Sequence, residues 1–165
     1  VDFILARFKA WYAEQGIAAG VIRAVAVNRP TRPADFAARV EAVKSFSTLE
    51  SSEALAAANK RVANILAKNL SDEKLSFNKA LLQEPAEIDL AKILELVEAR
   101  IQPMLEQSDY TNALAVLAEL RQPIDAFFEN VMVMADDESV KRNRLTLLSR
   151  LRGLFLCCAD ISVLN

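Results

Sequence analysis

Histidine is absent from this chain of 165 residues, and its only two cysteines are the adjacent Cys157 and Cys158. The chain therefore lacks the commonest general base at neutral pH and the commonest metal ligand. Two thiols alone cannot supply the four ligands of a structural zinc site. Adjacent cysteines rarely form a disulfide, because the ring that they would close distorts the peptide bond between them. We expect both to be reduced, packed side chains, as in a cytoplasmic protein.

Glycine and proline are also scarce, with three and five residues, whereas 53% of the residues are hydrophobic and 25% are charged. Few positions interrupt regular structure, which favours a helical globular domain. No apolar run reaches the roughly 18 residues that span a bilayer, and charges occur throughout the first 25 residues. We therefore expect no membrane segment and no signal peptide. The length suits one domain, and because the chain begins with Val1 we expect it to be a piece of a longer polypeptide.

Motifs of catalytic sites are missing as well. The sequence has no glycine-rich phosphate loop, no nucleophile elbow and no cysteine and histidine pair. The acids Asp136, Asp137 and Glu138 could hold a divalent cation, but acids that precede a helix usually cap it and face the positive end of its dipole. We predict no catalytic residue, no metal site and no cofactor bound by this chain.

The formal net charge of −2 is unevenly distributed. Residues 1–68 contain ten Lys or Arg and six Asp or Glu, residues 69–138 contain five and fifteen, and residues 139–165 contain five and one. If the two basic ends pack together, they form an electropositive face of the kind that attracts nucleic acid. Scattered, solvated charge explains the composition equally well.

Apolar residues recur at steps of three and four along most of the chain. This period predicts an all-α bundle of about seven helices. The predicted helices cover 3–15, 17–27, 33–47, 53–68, 86–106 with a bend or end at Pro103, the stretch from Ser108 or Asp109 to before Pro123, and a segment that starts at Pro123. A last helix is predicted to follow a cap at Asp136, Asp137 or Ser139. Residues 69–78 are predicted to form a polar loop.

The helix predicted over 53–68 has polar residues in its middle. Its buried face is formed by Leu55, Ala58, Val62, Ile65 and Leu66. Beside that face, Ala57, Arg61, Asn64 and Lys68 follow one another at steps of four, three and four. Amides read base edges, while guanidinium and ammonium groups bind phosphates, so this ridge predicts nucleic-acid contact or, alternatively, a solvated face. Lys60 is placed on the opposite side, and Asn59 is expected to join helices by hydrogen bonds.

Two further groups of cations stand out. Arg39 falls inside the apolar stripe of its helix, where a cation must be paired or must face a ligand groove. Lys141, Arg142 and Arg144 lie in the first turns of the last helix, where cations oppose the helix dipole. Either the neighbouring acids at 136–138 or the phosphates of a nucleic acid could compensate this unfavourable placement.

Five sequence strings resemble a known family. They are "RPADFAARVEAVKSF" at 32–46, "AANKRVANIL" at 57–66, "DAFFENVMVMADD" at 125–137, "NRLTLLSRLRGLF" at 143–155 and "ADISVL" at 159–164. In this order they are similar to the C-terminal end of the β subunits of bacterial glycyl-tRNA synthetases. "KRVANIL", followed by a C-terminal "NRLTLL" helix, also resembles the helical anticodon-binding domain shared with arginyl-tRNA synthetases, the DALR domain. Residues 1–27 carry the weakest family signal.

The resemblance implies a single all-helical domain over residues 1–165, a fragment of a longer subunit, that binds the anticodon stem-loop of glycine tRNA. It implies that the whole enzyme joins glycine to tRNA with ATP and magnesium, that an α subunit carries the aminoacylation site, and that this chain recognises tRNA without catalysing. It implies no contact with membrane or DNA. The implied tRNA contacts, at positions matching the family, are Arg29, Arg32, Arg39, Lys60, Arg61, Asn64, Lys68, Lys141, Arg142 and Arg144.

A second hypothesis needs no RNA contact. In it the acidic middle of the chain and the apolar "FFENVMVM" at 127–134 dock another subunit, so that the domain serves assembly alone. The two hypotheses differ in their response to salt, because binding driven by phosphate contacts weakens steeply as salt rises whereas a hydrophobic interface does not.

Overall fold

The computed structural model describes residues 1–69 and 76–164, and within these ranges it contains helices and no strand. Its eight α-helices are α1 (Asp2–Glu14), α2 (Ala19–Ala26), α3 (Pro33–Ser47), α4 (Ser52–Asn69), α5 (Pro85–Glu106), α6 (Tyr110–Leu117), α7 (Arg121–Asn130) and α8 (Glu138–Leu156). Single 3-10 turns cover Lys79–Leu81, Ala118–Leu120 and Ile161–Val163. The predicted all-α fold is confirmed. Residues 70–75, in the loop predicted over 69–78, lie outside the described residues.

Pro123 affects the helices differently from the prediction. Pro123 was expected to separate two helices, but α7 begins at Arg121 and Pro123 lies in its first turn. The first backbone N–H groups of a helix have no partner within it, so proline costs little there. The break comes earlier, at the 3-10 turn after Leu117. Helix α5 continues past Pro103 to Glu106.

The core is formed where the apolar faces of the middle helices meet. α3 packs on α6, α5 packs on α6 and α7, and α4 packs on α8 and on the 3-10 turn Ile161–Val163. Four phenylalanines are fully buried in this core: Phe36, Phe46, Phe127 and Phe155. The backbone N–H of Asp160 donates to the carbonyl of Ala24 at 2.9 Å. The segment after α8 therefore contacts α2, and its 3-10 turn packs against α4.

Asn59 differs from its predicted role. Its side chain is buried, but its Nδ2 donates to the carbonyl of Leu55 in the same helix at 3.0 Å, and its Oδ1 has no hydrogen-bond partner. The prediction that Asn59 links helices is wrong. A short amide one turn along a helix reaches the carbonyl four residues back more easily than a neighbouring helix.

Asp137 caps α8 and Glu138 lies in its first turn, as the sequence predicted for this acidic stretch. Oδ1 of Asp137 accepts hydrogen bonds from the backbone N–H groups of Ser139 and Val140, and Lys141 pairs with Glu138 at 2.9 Å. Among residues 1–69 and 76–164, no group of three acidic or cysteine side chains is arranged to hold a metal ion. No helix in that part of the chain is both long enough and apolar enough to cross a membrane.

The two cysteines occupy different environments. Cys158 is buried and Cys157 is exposed, and neither forms a disulfide. Burial raises the pKa of the Cys158 thiol to about 12, so this side chain behaves as a small apolar residue. The expectation of packed thiols is correct for Cys158 and wrong for Cys157, because α8 ends at Leu156 and the chain turns there.

Two carboxylates make the stability of the fold depend on pH in the acid range. Burial alone would raise the pKa values of Glu87 and Asp160, but hydrogen bonds from Arg144 to Glu87 and from Arg152 and Ser162 to Asp160 outweigh it and lower both. A folded-state pKa below the unfolded value, about 4 for these side chains, stabilises the fold above that pH. This stability is lost as the pH falls through the lowered pKa values.

We therefore expect the free energy of unfolding, measured by urea titration, to be level from pH 7 to about 5 and to fall below about pH 4. Asp160→Asn should reduce this slope, since the variant lacks one of the two carboxylates. An equal slope in the variant and the parent would contradict the assignment to Asp160.

Candidate nucleic-acid interface

A shallow groove of about 520 Å³ runs along the exposed side of α4, and we call it the α4 groove. Its lining residues are Ala57, Lys60, Arg61, Asn64, Ile65, Lys68 and Asn69. The predicted ridge of Ala57, Arg61, Asn64 and Lys68 therefore lines one concave surface. The prediction that Lys60 lies on the opposite side of the helix is wrong, because Lys60 precedes Asn64 by four residues and lines the same groove. Three cations and two amides thus face one site.

The cations of the α4 groove form no ion pairs within the described part of the chain. Lys60, Arg61 and Lys68 are all exposed, and no carboxylate in residues 1–69 or 76–164 forms an ion pair with any of them. Arginine and lysine that have no internal partner remain available for the phosphates of a ligand. Lys68 also lies in the last turn of α4, where the helix dipole favours a cation.

Arg61 is oriented by an aromatic ring. The centre of its guanidinium lies 4.1 Å from the ring centroid of Phe128 on α7. This cation–π contact fixes a long side chain that would otherwise be mobile. Sequence reasoning missed Phe128, although its signal was present. Phe127 and Phe128 are adjacent on one helix and point to different sides, so only one of them can be fully buried.

A second groove, of about 450 Å³, lies on the other side of Arg61, and we call it the α4/α7 groove. It is lined by Ala54, Ala57, Ala58 and Arg61 of α4 and by Asp125, Phe128 and Glu129 of α7. Arg61 and Ala57 therefore belong to both grooves. The α4 groove presents cations and amides, whereas the α4/α7 groove has two carboxylates on its α7 side.

Arg144 does not lie on this surface. Its side chain is 5% exposed and that of its partner Glu87 is 0% exposed. Nε and Nη2 of Arg144 donate to the two oxygens of Glu87 at 3.1 and 3.0 Å, and Nη1 donates to the carbonyl of Met132 at 2.6 Å. The sequence-based assignment of Arg144 as a phosphate contact is corrected, because its side chain is buried and every nitrogen of its guanidinium has a hydrogen-bond partner within the domain.

Arg39 is also engaged within the fold. Its side chain is 12% exposed. It donates to Asp35, to the hydroxyl of Tyr110 and to the carbonyls of Cys157 and Cys158. Of the two alternatives that the sequence left open, pairing and a ligand groove, the structure shows pairing. We leave Arg39 out of the RNA-contact set for this reason.

The remaining predicted contacts lie away from the α4 groove along the chain, and all of them except the half-buried Lys141 are exposed. Arg29 pairs with Asp2 in the turn between α2 and α3, and Arg32 is the exposed residue before α3. Lys141 is paired with Glu138, and Arg142 is exposed on α8. The two basic ends of the chain do pack together, since α4 contacts α8. The α8 cations Arg144, Arg150 and Arg152 nevertheless pair with carboxylates.

Comparison with known proteins adds to this geometry. Residues 55–160 match the family described as the DALR anticodon binding domain. Over 165 residues, the chain is 54% identical to the glycine–tRNA ligase beta subunit of Aliivibrio fischeri, 56% to that of Serratia proteamaculans and 58% to that of Tolumonas auensis. Each alignment covers 100% of this chain and 24% of the relative. The chain therefore spans about a quarter of the length of the curated relatives it matches.

Proposed function

The chain belongs to the family of DALR anticodon binding domains, and from this premise we propose that it binds the anticodon stem-loop of glycine tRNA through the α4 groove. The resemblance expected from the sequence strings is confirmed. The observation that carries the proposal is the α4 groove, in which three cations that pair with no carboxylate of residues 1–69 or 76–164 lie beside Asn64 and Asn69. All of these residues lie within the range that matches the family.

The groove offers the two kinds of contact that a single-stranded RNA loop requires. Lys60 and Lys68 are point charges that bind phosphates irrespective of sequence. The amide of Asn64 carries both donors and an acceptor and can hydrogen-bond to the edge of an unpaired base. Arg61, held by Phe128, lies between them. In this proposal Arg29, Arg32, Lys141 and Arg142 contact the RNA backbone farther along the stem.

We extend the proposal to the whole protein by analogy with the relatives named above. The chain is then the tRNA-recognition part of a glycine–tRNA ligase beta subunit, and the ligase uses ATP and magnesium in the cytoplasm to join glycine to tRNA. An α subunit would carry out the chemistry, and the rest of the beta subunit would hold the remainder of the tRNA. The role of this domain is to raise the affinity for tRNA molecules that carry the correct anticodon.

A titration with RNA tests this function directly. We expect the intact protein that contains this chain to bind glycine tRNA more tightly than a transcript with a changed anticodon, as measured by fluorescence anisotropy. The affinity should also fall steeply between 50 and 200 mM salt, because each phosphate contact releases about one counterion. Equal affinity for both transcripts at every salt concentration would refute the proposal.

Variants of the α4 groove make the same test at residue level. Arg61→Ala and Asn64→Ala should each weaken tRNA binding by about 1–3 kcal/mol. Both residues are exposed, so the fold should lose little stability beyond the cation–π contact of Arg61. Lys44→Ala is the matched control, since Lys44 is an exposed cation on α3 that pairs with the exposed Glu41. A control that weakens binding as much as Arg61→Ala would show that net charge alone is responsible.

One observation favours a second candidate function, the docking of another subunit. Met132 and Met134, in the segment between α7 and α8, are 69% and 46% exposed. Three acids, at 136–138, follow them. Such a surface suits a protein with apolar and basic residues better than it suits RNA, because the carboxylates repel phosphates. Assembly that persists at high salt and is lost in a Met132→Ser, Met134→Ser double variant would support this function.

A further inference from the structure

A groove of about 740 Å³ lies between α1 and α3, and we call it the α1/α3 groove. We propose that it receives the apolar face of a helix that belongs to the same subunit but lies outside these 165 residues. In this arrangement α1 joins the domain to the rest of the polypeptide. The inference rests on the extension of the proposed function to a whole beta subunit, and it needs no contact between α1 and RNA.

One wall of the α1/α3 groove is aromatic. Phe8, Trp11 and Tyr12 of α1 line it. The ring of Tyr12 stacks on Phe36 with the two centroids 5.0 Å apart, and Trp11 meets Tyr12 edge to face at 4.8 Å. Trp11 nevertheless remains 54% exposed. A tryptophan that is oriented by neighbouring rings and still exposed is a typical anchor of a protein interface, since it offers a large contact area at little cost in entropy.

The other side of the groove leaves room for a helix. Ala34 and Ala37 of α3 line the groove, and so does Ala10 of α1. Small side chains let another backbone approach closely, and the groove between two helices is a surface on which a third helix packs. The occupant is therefore expected to be an amphipathic helix with large apolar side chains at steps of three and four.

The exposed apolar surface continues beyond the groove along α1. Of the nine large hydrophobic side chains that are exposed in residues 1–69 and 76–164, four belong to the first 11 residues, namely Val1, Phe3, Ile4 and Trp11. Ile4, Phe8 and Trp11 follow one another at steps of four and three, so they lie on one side of the helix. Exposed apolar residues that are collected on one helix mark a surface that another protein segment covers.

Charge favours a protein segment over RNA as the occupant. Arg7 and Glu14 line the groove two helical turns apart, and their charges are opposite. Burial and the nearby carboxylate of Glu41 raise the pKa of Tyr12. Two carboxylates therefore lie at or near the aromatic wall, where they repel phosphates. An apolar groove of balanced charge resembles the core of a protein interface.

The length of the relatives argues that the occupant comes from the same subunit. The alignments cover 24% of each relative, so about three quarters of such a subunit is additional polypeptide. α1 also precedes the range that matches the anticodon binding domain, residues 55–160. A segment of the same polypeptide docks intramolecularly, at an effective concentration that a separate molecule rarely reaches. A groove of modest size is therefore sufficient for stable docking.

The accessibility of Ala10 in the assembled enzyme tests this docking. Ala10 is exposed in the domain and lines the groove, so Ala10→Cys places a thiol there with little change in volume. Ala99→Cys, at an exposed alanine of α5, is the matched control. Without RNA present, we expect a maleimide to modify position 10 at least roughly tenfold more slowly than position 99, as measured by peptide mass spectrometry. Equal rates would overturn the proposal, because the groove would then be open in the assembled enzyme.

A photoreactive side chain identifies the occupant. The amino acid p-benzoylphenylalanine at position 11 keeps an aromatic side chain at the groove. Irradiation should crosslink it to peptides of the same subunit that lie outside the 165 residues. Crosslinks to the α subunit, to RNA, or between isotopically labelled and unlabelled copies of this chain would overturn the assignment of the occupant.

The variant Trp11→Ser tests the anchor. Combined with Ala10→Cys, it should raise the modification rate at position 10 to within about threefold of that at position 99. Cys158 is buried and should stay unmodified, which shows that the domain is folded. Continued protection of position 10 would contradict the role of Trp11, and if Cys158 also reacts, the comparison of Ala10→Cys with Ala99→Cys in the parent decides. These measurements use no RNA, so docking fails here without affecting the anticodon preference, and a missing anticodon preference refutes the proposed function without affecting docking.

Discussion

Replacing Arg144 with alanine should lower the free energy of unfolding by about 3–5 kcal/mol, the cost of leaving one partner of a buried ion pair uncompensated. Glu87, which remains, is 0% exposed and would keep the backbone donors of Gln83 and Glu84 but lose its cation. The carbonyl of Met132 would also lose its donor. Since domains of this size are stable by only about 5–15 kcal/mol, urea denaturation should show a large decrease in the midpoint.

The matched control is Arg100→Ala. Arg100 forms a similar two-bond pair with Glu119, but both side chains are more than half exposed. Its loss should cost at most about 1 kcal/mol, because water replaces the contacts. Arg144→Lys keeps the charge yet cannot reproduce the two parallel hydrogen bonds, so it should still be destabilising. A cost below about 1 kcal/mol for Arg144→Ala would contradict a structural role for the pair.

The two variants of Arg144 also distinguish an effect on stability from an effect on RNA binding. If Arg144 contacted tRNA, the folded fraction of Arg144→Lys would bind as the parent does, because a phosphate accepts either cation, whereas Arg144→Ala would bind less tightly. If Arg144 is structural, binding normalised to the folded fraction is unchanged in both. We expect the second outcome, with the loss appearing only in the amount of folded protein.

The positions of Arg144 and Glu87 in the sequence do indicate that both side chains are buried. Arg144 precedes Leu148, Leu151 and Phe155 at steps of four, three and four, so it lies on the buried stripe of α8. Glu87 has the same relation to the stripe of α5 that continues through Leu90 and Leu94. Two opposite charges on buried stripes can be tolerated only if they pair. This reasoning, which was applied to Arg39, would have placed Arg144 in the core.

Helices were predictable because their apolar period depends only on local sequence. The candidate site was predictable in part for the same reason, since Arg61, Asn64 and Lys68 lie one turn apart on a single helix. The contact of Arg61 with Phe128 was not predictable, because the two residues belong to helices that meet only through tertiary packing. The placement of Lys60 on the opposite side was wrong by the helical period itself, since Lys60 precedes Asn64 by four residues and therefore lies on the same side of α4.

The second large effect is expected from Arg39→Ala, which should lower the free energy of unfolding by about 3 kcal/mol. Nη1 of Arg39 donates to the carbonyls of Cys157 and Cys158 at 2.9 and 2.7 Å, where α8 ends. These carbonyls have no partner further along the helix, and a cation there also offsets the negative end of the dipole. One side chain therefore holds the end of α8 against α3.

Arg39 further organises a polar cluster between α3 and α6. Its Nε lies 3.2 Å from Oδ2 of Asp35, its Nη2 donates to the hydroxyl of Tyr110 at 3.0 Å, and that hydroxyl donates in turn to Oδ1 of Asp35. The guanidinium centre also lies 4.2 Å from the centroid of the Tyr110 ring. Asp35 and Tyr110 are mostly buried. Removal of Arg39 leaves the Asp35 carboxylate with the Tyr110 hydroxyl and without its cation.

Conservative and neighbouring substitutions decide whether this geometry or the charge alone is responsible. Arg39→Lys should recover little of the loss, because a lysine ammonium cannot donate to Tyr110, to Asp35 and to the two carbonyls that follow α8 in the directions that the planar guanidinium provides. Lys44→Ala, on the same helix, should change the free energy of unfolding by less than about 0.5 kcal/mol. Full recovery in Arg39→Lys would mean that the helix dipole and the charge of Asp35 outweigh the hydrogen bonds. No recovery in Arg39→Lys, together with normal tRNA binding per folded molecule, would show that the hydrogen bonds of Arg39 hold the end of α8 against α3 and α6.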